Sequence, residues 1–494
     1  MNLPGPLLAL ALGVTFASLT PLSAAPKPNI LHIVADDLGW KDVGFNGATD
    51  IKTPNIDALA SGGAKFSQFY TQSMCTPTRA AIMTGRYPFR YGLQTIVIPG
   101  PAGYGLDTTE YLLPQSLKDA GYKTAIIGKW HLGHADTKYW PKQRGFDYQY
   151  GPMIGELDYY THSDAGVLDW FRDNQPVKEE GYTTQLLGND AVKYIQEQSA
   201  DKPFYLYLTF NAPHTPYQVP QEYVDRFKNI QEPTRRIYAG MVSCLDDEIG
   251  RVIAALDQKG LRNNTLIVFN SDNGGTKNAM FAGQMADLSK VKLPCDNGPY
   301  RDGKGSLFEG GSRVAACANW PGHIKPQTVN GMIHVVDLYP TFTGLAGAST
   351  SKCKPLDGMN VWTTISEGKE SPREELVYNI EPFRGAVRQG DWKLIWRSLI
   401  PTSVDLYNLA DDPYEQKNVA SRHPFKVSAM QDRINELGKQ AAKPLALMYV
   451  ASVGLAHGKP NMASPDGKPA AQEDDSHSIT DEGIGEREVS AEKH

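Results

Sequence analysis

An α/β fold is predicted for this chain of 494 residues. It comprises a large mixed, mostly parallel sheet sandwiched by helices, then a smaller C-terminal domain with a short antiparallel sheet and a helix. Three observations predict this. Four short runs, Asn29 to Ala35, Thr124 to Ile127, Phe204 to Phe210 and Leu266 to Asn270, are mainly apolar rather than alternating, as strands buried on both faces are. Helical patterns lie between them, which suits a sheet covered on both sides. From about Pro372 the pattern shifts to short strand-like runs separated by turns.

Taken in order, Met1 to Ala25 has no charged side chain, carries the run Leu7 to Leu12 and ends in Ser23-Ala24-Ala25. This predicts a cleaved secretory signal over residues 1–25, and so a periplasmic or secreted protein, lysosomal or extracellular in a eukaryote. A large N-terminal domain is expected over 26–371. Its best helical pattern runs from Arg235 to Leu256, with Ile237, Met241, Leu245, Ile249, Val252, Ile253 and Leu256 on one face. Gly260 fits its stop. In 372–457, strands are expected at Leu376 to Ile380, Gly385 to Arg388, Trp392 to Trp396 and Asp405 to Leu409, with a helix from His423 to Gln440. Residues 458–494 are poor in large apolar side chains and are expected to form a flexible tail.

Hydrophobic content of 41% and charged content of 21% are those of a globular protein. A net charge of −6 gives no basic field for nucleic acid or anionic membrane. No segment after the signal is long and apolar enough to span a bilayer. Of five cysteines, Cys244, Cys295, Cys317 and Cys353 allow three disulfide pairings in an oxidising compartment, while Cys244 also suits a free thiol on the helix stripe.

Each predicted strand of the large sheet ends in polar residues. Asp36-Asp37 follow the first, Lys129 and His131 the second, His214 the third and Asp272-Asn273 the fourth. Ligands of open α/β sheets bind at the carboxyl ends of the strands, so these groups are expected to share one edge. Singly, each has a plain reading: a capping carboxylate or a turn for the acidic pairs, a solvated surface for each lysine, a structural ring for each histidine. Together, Asp36, Asp37, Asp272 and Asn273 are oxygen donors without zinc-like His or Cys spacing, which points to calcium or magnesium. Arg79, Lys129 and Lys304 supply positive charge, Lys304 from the glycine-rich loop Arg301 to Gly311.

The run Ser73-Met74-Cys75-Thr76-Pro77-Thr78-Arg79, continuing to Gly85, places a cysteine two residues before Pro and four before Arg. With Gly121 to His131, it resembles the signatures of type I sulfatases. Thr78 stands where many members have Ser, another hydroxyl. The resemblance implies an alkaline-phosphatase-like fold and conversion of Cys75 to formylglycine by a formylglycine-generating enzyme. It implies a calcium ion held by Asp36, Asp37, Asp272, Asn273 and residue 75. By the same resemblance, Lys129 and Lys304 bind sulfate and Arg79 steadies the aldehyde hydrate. One hydroxyl of the hydrate attacks sulfur to give a covalent sulfo-enzyme. The resemblance casts His214 as the general acid and His131 as the base that deprotonates the second hydroxyl to expel sulfate.

Within the family, Ala35 to Trp40, Gly128 to Gly133 and Leu157 to His162 are similar to the arylsulfatase B, or N-acetylgalactosamine-4-sulfatase, branch. The implied substrate is a sulfated oligosaccharide or polysaccharide bearing 4-O-sulfated N-acetylgalactosamine or galactose. Asp158, Tyr160 and His162 are then candidate sugar contacts, with structural loop roles as the equal alternative. The other readings are a sulfatase for another algal or host polysaccharide, a phosphatase or phosphonate hydrolase of the same fold, and a sulfated-glycan-binding protein without turnover. The Cys75 to Arg79 run and a single-metal ligand set favour sulfate hydrolysis.

Overall fold

Four consecutive strands of one sheet carry the site. They are β1 (Asn29–Ala35), β2 (Lys123–Gly128), β3 (Phe204–Thr209) and β4 (Thr265–Ser271). Each matches an expected apolar run to within a residue or so, because every side chain except that of Lys123 is buried. The computed structural model describes residues 1, 27–277, 293–398 and 402–457. The expected signal at 1–25, apart from Met1, and the expected tail at 458–494 lie outside the described residues.

Across the sheet the order is β4, β1, β3, β2, all parallel. Ala35 lies opposite Ser271, Val34 opposite Thr209, and Thr209 opposite Gly128, so the four carboxyl ends are level. Beyond β2 come Tyr148–Gly151, parallel, then the antiparallel Phe171–Arg172 and Gln175–Pro176. Beyond β4 come Ala316–Asn319 and Ala64–Phe66, each antiparallel to its neighbour, and Gln327–Val329, parallel. Among the described residues the sheet has ten strands and is mixed, with a parallel centre.

The long helix spans Pro233–Gln258. Glu232 caps it, accepting a hydrogen bond from the Thr234 amide at 3.1 Å, and Pro233 occupies its first position, where no amide is needed. Met241, Leu245, Ile249, Val252 and Leu256 are fully buried in the core, with Ile237 and Ile253 at its margin. Gly260 stands just past its end at φ +66°. His32, inside β1, is a core histidine: its Nε2 is 2.8 Å from Asn270 Oδ1, its Nδ1 is buried without a partner, and burial lowers its pKa to about 4.

The second sheet joins Glu375–Ile380, Arg384–Gln389, Trp392–Arg397 and Ser403–Asn408 in sequence order, all antiparallel. The helix Pro424–Lys439 packs on it with Met430, Ile434 and Leu437 buried. Leu376, Tyr378, Ile395 and Tyr407 cluster with Tyr70 of the short strand Phe69–Tyr70 and with Leu307 and Phe308. The boundary expected at 371/372 falls in the loop before Glu375, and the described residues of both sheets belong to one compact unit. All five cysteines are free thiols, so none of the three conceivable pairings forms; the four outside the signature lie on separate elements and loops. Among the described residues no helix is long and apolar enough to cross a membrane.

Candidate active site

The chain leaves β1 at Asp36, fully buried, and turns sharply at Asp37, whose φ of +61° is left-handed. His131, after β2, is also left-handed at φ +58°. Such residues cost about 1–3 kcal/mol and concentrate at functional sites. The Asp37 turn lets its own amide donate to Asp272 Oδ1 at 3.3 Å, tying the ends of β1 and β4 together.

The signature segment forms the helix Cys75–Thr84, every residue of which is buried. Met74 before it is extended, and Gly85 closes it at φ +65°. Thr78 donates to the Gln72 carbonyl at 3.0 Å, and Thr76 to the His131 carbonyl at 3.0 Å, fixing the helix against its neighbours. Cys75 and Arg79, four apart, share one helix face. Cys75 Sγ lies 3.4 Å from Asp36 Oδ1. The Arg79 guanidinium reaches the Lys129 carbonyl at 3.0 Å, Thr209 Oγ1 at 2.7 Å, Asp272 Oδ2 at 2.9 Å and Asp36 Oδ2 at 3.5 Å.

Two lysines complete the centre, both buried rather than solvated. Lys129 pairs with Asp36. Lys304 Nζ is 2.8 Å from Asp37 Oδ2 and 3.0 Å from His214 Nε2. Burial acts against the Asp37 carboxylate, but the Lys304 ammonium, with its hydrogen bond and that of Asn273, outweighs it and holds its pKa well below the usual range. Burial and then Asp36 push the Asp272 carboxyl up. Burial, Asp272 and Asp36 push the Cys75 thiol far up, so as a thiol it stays protonated and weakly nucleophilic. His131 and His214 are held neutral, chiefly by burial and then by Lys129 and Lys304 respectively.

The donor set fits a hard cation. Ligand atoms of Asp36, Asp37, Cys75 and His214 lie within 4.8 Å of one another. Asn273 donates its amide hydrogen to Asp37 Oδ1 at 2.7 Å, which leaves its Oδ1 buried and without a partner. An orphaned carbonyl oxygen beside two carboxylates is an oxygen ligand in want of a cation. Asp36, Asp37 and Asp272 balance Arg79, Lys129 and Lys304 in formal charge, so a dication would leave the centre positive.

The structure thus gathers Asp36, Asp37, Cys75, Arg79, Lys129, His131, His214, Asp272, Asn273 and Lys304. Cys75, His131, His214 and Lys304 line a cavity of about 380 Å³. Asp158 lines an adjoining cavity, its carboxylate accepting from the Thr161 amide at 2.8 Å and Gln218 Nε2 at 2.7 Å. Tyr160 is half-exposed and lines neither. His162 is buried with its ring 4.6 Å from that of Trp170, away from the cavity.

Sequence reasoning missed Thr276, which donates to Asp37 Oδ2 at 2.8 Å, and Asn297, which exchanges two hydrogen bonds of 2.8 Å with Gly275. It also missed the loop Ile96 to Gly100, which walls the cavity. None stands in a motif, and the only local signal was the adjacency of Thr276 to Asp272-Asn273.

A family model described as Sulfatase matches residues 28–348. Mouse arylsulfatase J is 33% identical over 471 residues, covering 84% of this chain and 76% of its own. Human N-acetylgalactosamine-6-sulfatase is 32% identical over 386 residues, covering 74% and 71%. The crystal structure of Ps i-CgsB in complex with k-i-k-neocarrahexaose superposes with a TM-score of 0.76 at 34% identity, covering 85% of this chain and 94% of that one. With the signature helix, the buried cations and the oxygen donors on the same strand ends, these matches show that the chain belongs to the sulfatase family, the hydrolases of sulfuric esters.

Proposed function

We propose that this enzyme removes sulfate from 4-O-sulfated N-acetylgalactosamine or galactose units of a glycan, with residue 75 matured to formylglycine. The observation that carries the reading is the position of Cys75: a buried, protonated thiol beside Asp36, at the start of a helix and on the wall of the catalytic cavity. A thiol so placed is a poor nucleophile. Its aldehyde hydrate would offer one hydroxyl to sulfur and keep a second to eject sulfate, which a serine could not.

The chain's own residues suit the remaining roles. Lys129 and Lys304 face the sulfate and offset charge that develops on its oxygens. Arg79, fixed by four acceptors, holds position 75 against the centre. His214 keeps its Nδ1 hydrogen on the Thr215 carbonyl at 2.7 Å, so Nε2 is the atom that exchanges protons with the leaving oxygen. His131 directs Nε2 to the Ile98 carbonyl at 3.3 Å and leaves Nδ1 buried without a partner, the form of a neutral base. Asp36, Asp37 and Asn273, with Asp272, would hold calcium, which supplies polarisation of the sulfate ester.

The carbohydrate class rests on relatives whose names specify N-acetylgalactosamine or whose structure holds a neocarrahexaose. The 4-position rests on the arylsulfatase B resemblance. A periplasmic or secreted location and a maturing enzyme as partner follow from the signal-like start and from Cys75. The test is sulfate release from 4-sulfated N-acetylgalactosamine, its 6-sulfated isomer and 4-sulfated galactose, using aldehyde-confirmed enzyme. Release from a 4-sulfate is expected. Release from the 6-sulfate alone would move the position, and release of phosphate but not sulfate from matched esters would overturn the reading.

A further inference from the structure

The catalytic cavity is the middle one of three. A cavity of about 440 Å³ adjoins it across Met74, Ile96 and Lys304, which line both. A cavity of about 340 Å³ adjoins it on another side across Glu156 and Asp164, which also line both. Removing a sulfate from a single sugar requires neither flank.

The flanks differ in charge. Along the first, Arg384 and Arg397 join Lys304, against Asp302 and Glu381. Arg384 is committed: it donates to the Gly305 carbonyl at 2.7 Å and to Glu381 Oε1 at 3.0 Å, tying the C-terminal sheet to the Lys304 loop. Arg397 pairs with Asp405 through Nη2 and donates Nε to Ser403 Oγ at 2.9 Å, but its side chain is 39% exposed and its Nη1 makes no hydrogen bond among the described residues, so Nη1 is the donor offered to a ligand. Phe383, 43% exposed, adds an apolar plate of the kind that lines binding clefts. The second flank carries Glu156, Asp158 and Asp164, with no Lys, Arg or His on its wall. A carboxylate-only wall disfavours an anionic unit by repulsion, while the Arg397 wall attracts one.

Resting on the sulfatase reading above, we propose that the enzyme binds at least three consecutive units of its glycan. The reacting unit occupies the central cavity. The neighbour in the Arg397–Phe383 cavity bears its own sulfate or carboxylate, and the neighbour in the Glu156–Asp158–Asp164 cavity is uncharged. The recognised substrate is thus a stretch of polyanionic glycan with an asymmetric charge pattern, not an isolated sulfated monosaccharide.

The test is calorimetric binding to the full-length Cys75→Ala variant, which lacks the nucleophile. The ligands are a sulfated monosaccharide and two trisaccharides sulfated on the middle unit, one with a second sulfate on the reducing-end neighbour and one with it on the other neighbour. One isomer is expected to bind about tenfold more tightly than the other and than the monosaccharide. Adding Arg397→Ala should remove that advantage and leave monosaccharide binding unchanged. Adding Glu156→Gln should improve the disfavoured isomer. Trisaccharides that bind no better than the monosaccharide, or isomers that bind alike, would overturn the proposal. Sulfate release from the monosaccharide by mature wild-type enzyme reports on the sulfatase reading separately. Release without any length or isomer effect sinks the cleft alone, and isomer discrimination without release sinks turnover alone.

Discussion

Lys304 Nζ lies 3.0 Å from His214 Nε2, on the face of the ring from which a proton would pass to a leaving group. Because Nδ1 is committed to the Thr215 carbonyl, Nε2 accepts from the ammonium and the ring is neutral. Substrate sulfate competes for that ammonium, and drawing it away frees Nε2 to carry a proton. With the proposed roles of His214 and Lys304, proton donation and sulfate binding would be coupled through one side chain. His214→Ala is expected to lower kcat/KM for a sugar sulfate by about 10²–10⁴. For an aryl sulfate, whose phenolate leaves unaided, the loss should be far smaller. Sulfate release measured on both esters checks this, and equal losses would assign His214 to sulfate binding instead.

Cys75→Ser is expected to abolish turnover while leaving the fold intact, since the serine hydroxyl fits the volume of the buried thiol. One hydroxyl can attack sulfur but no second hydroxyl remains to expel the group. Incubation with substrate should give a protein heavier by one SO3 group by intact-mass spectrometry. Sustained multiple turnover by this variant would remove the hydrate from the mechanism.

The orphaned Oδ1 of Asn273 predicts metal-linked stability. Calcium should raise the melting temperature of the wild type relative to chelator, by about 2.7 kcal/mol of stabilisation at a hundredfold excess over Kd. Asn273→Ala removes an oxygen donor and frees Asp37 from one hydrogen bond, so the calcium-dependent rise should shrink at any given concentration. Thermal unfolding with calcium and with chelator measures both. An unchanged rise in the variant would exclude Asn273 as a ligand.

The central strands and the residues just beyond them were legible because both are local. A strand buried on two faces is mainly apolar without alternation, and the first charged residue after it marks where the chain reaches the site, as at Asp36, Lys129 and Asp272. Level registers then bring those residues together without further information. Thr276 and Asn297 were not legible, because what places them is how the loops after β4 close on one another. His162 illustrates the opposite limit. It lies in a motif-like stretch, yet its left-handed backbone turns the ring onto Trp170. The burial of Lys129 and Lys304 ran against residue preference and was legible only through the surrounding signatures.

Lys393 carries the last prediction. It is fully buried in the C-terminal sheet, with its ammonium 2.9 Å from Glu309 Oε1 and 2.8 Å from Glu415 Oε1. Glu309 stands five residues after Lys304, and its amide donates to Glu415 Oε2 at 2.6 Å, so this ion cluster anchors the loop that delivers Lys304. Burial raises the Glu309 carboxyl, but Lys393 and Arg313 outweigh it and hold it down at about 2, against an ordinary value of 4.5. For Glu415 burial prevails and the shift is upward. Lys393→Met would leave two buried carboxylates sharing no ammonium and should cost about 3–5 kcal/mol in urea unfolding near neutral pH. The sign with pH follows. A depressed carboxyl stabilises fully above its unfolded value and loses that contribution as pH falls below it, so the wild type weakens on acidification. In the variant Glu309 keeps only Arg313 and Arg388 as counter-charges and Glu415 loses its ammonium, so both carboxyls rise relative to the wild type and protonation recovers part of the lost stability. The gap between the two proteins should therefore narrow between about pH 7 and about pH 4. A gap that held constant or widened would show that Lys393 is not the counter-charge that holds this loop.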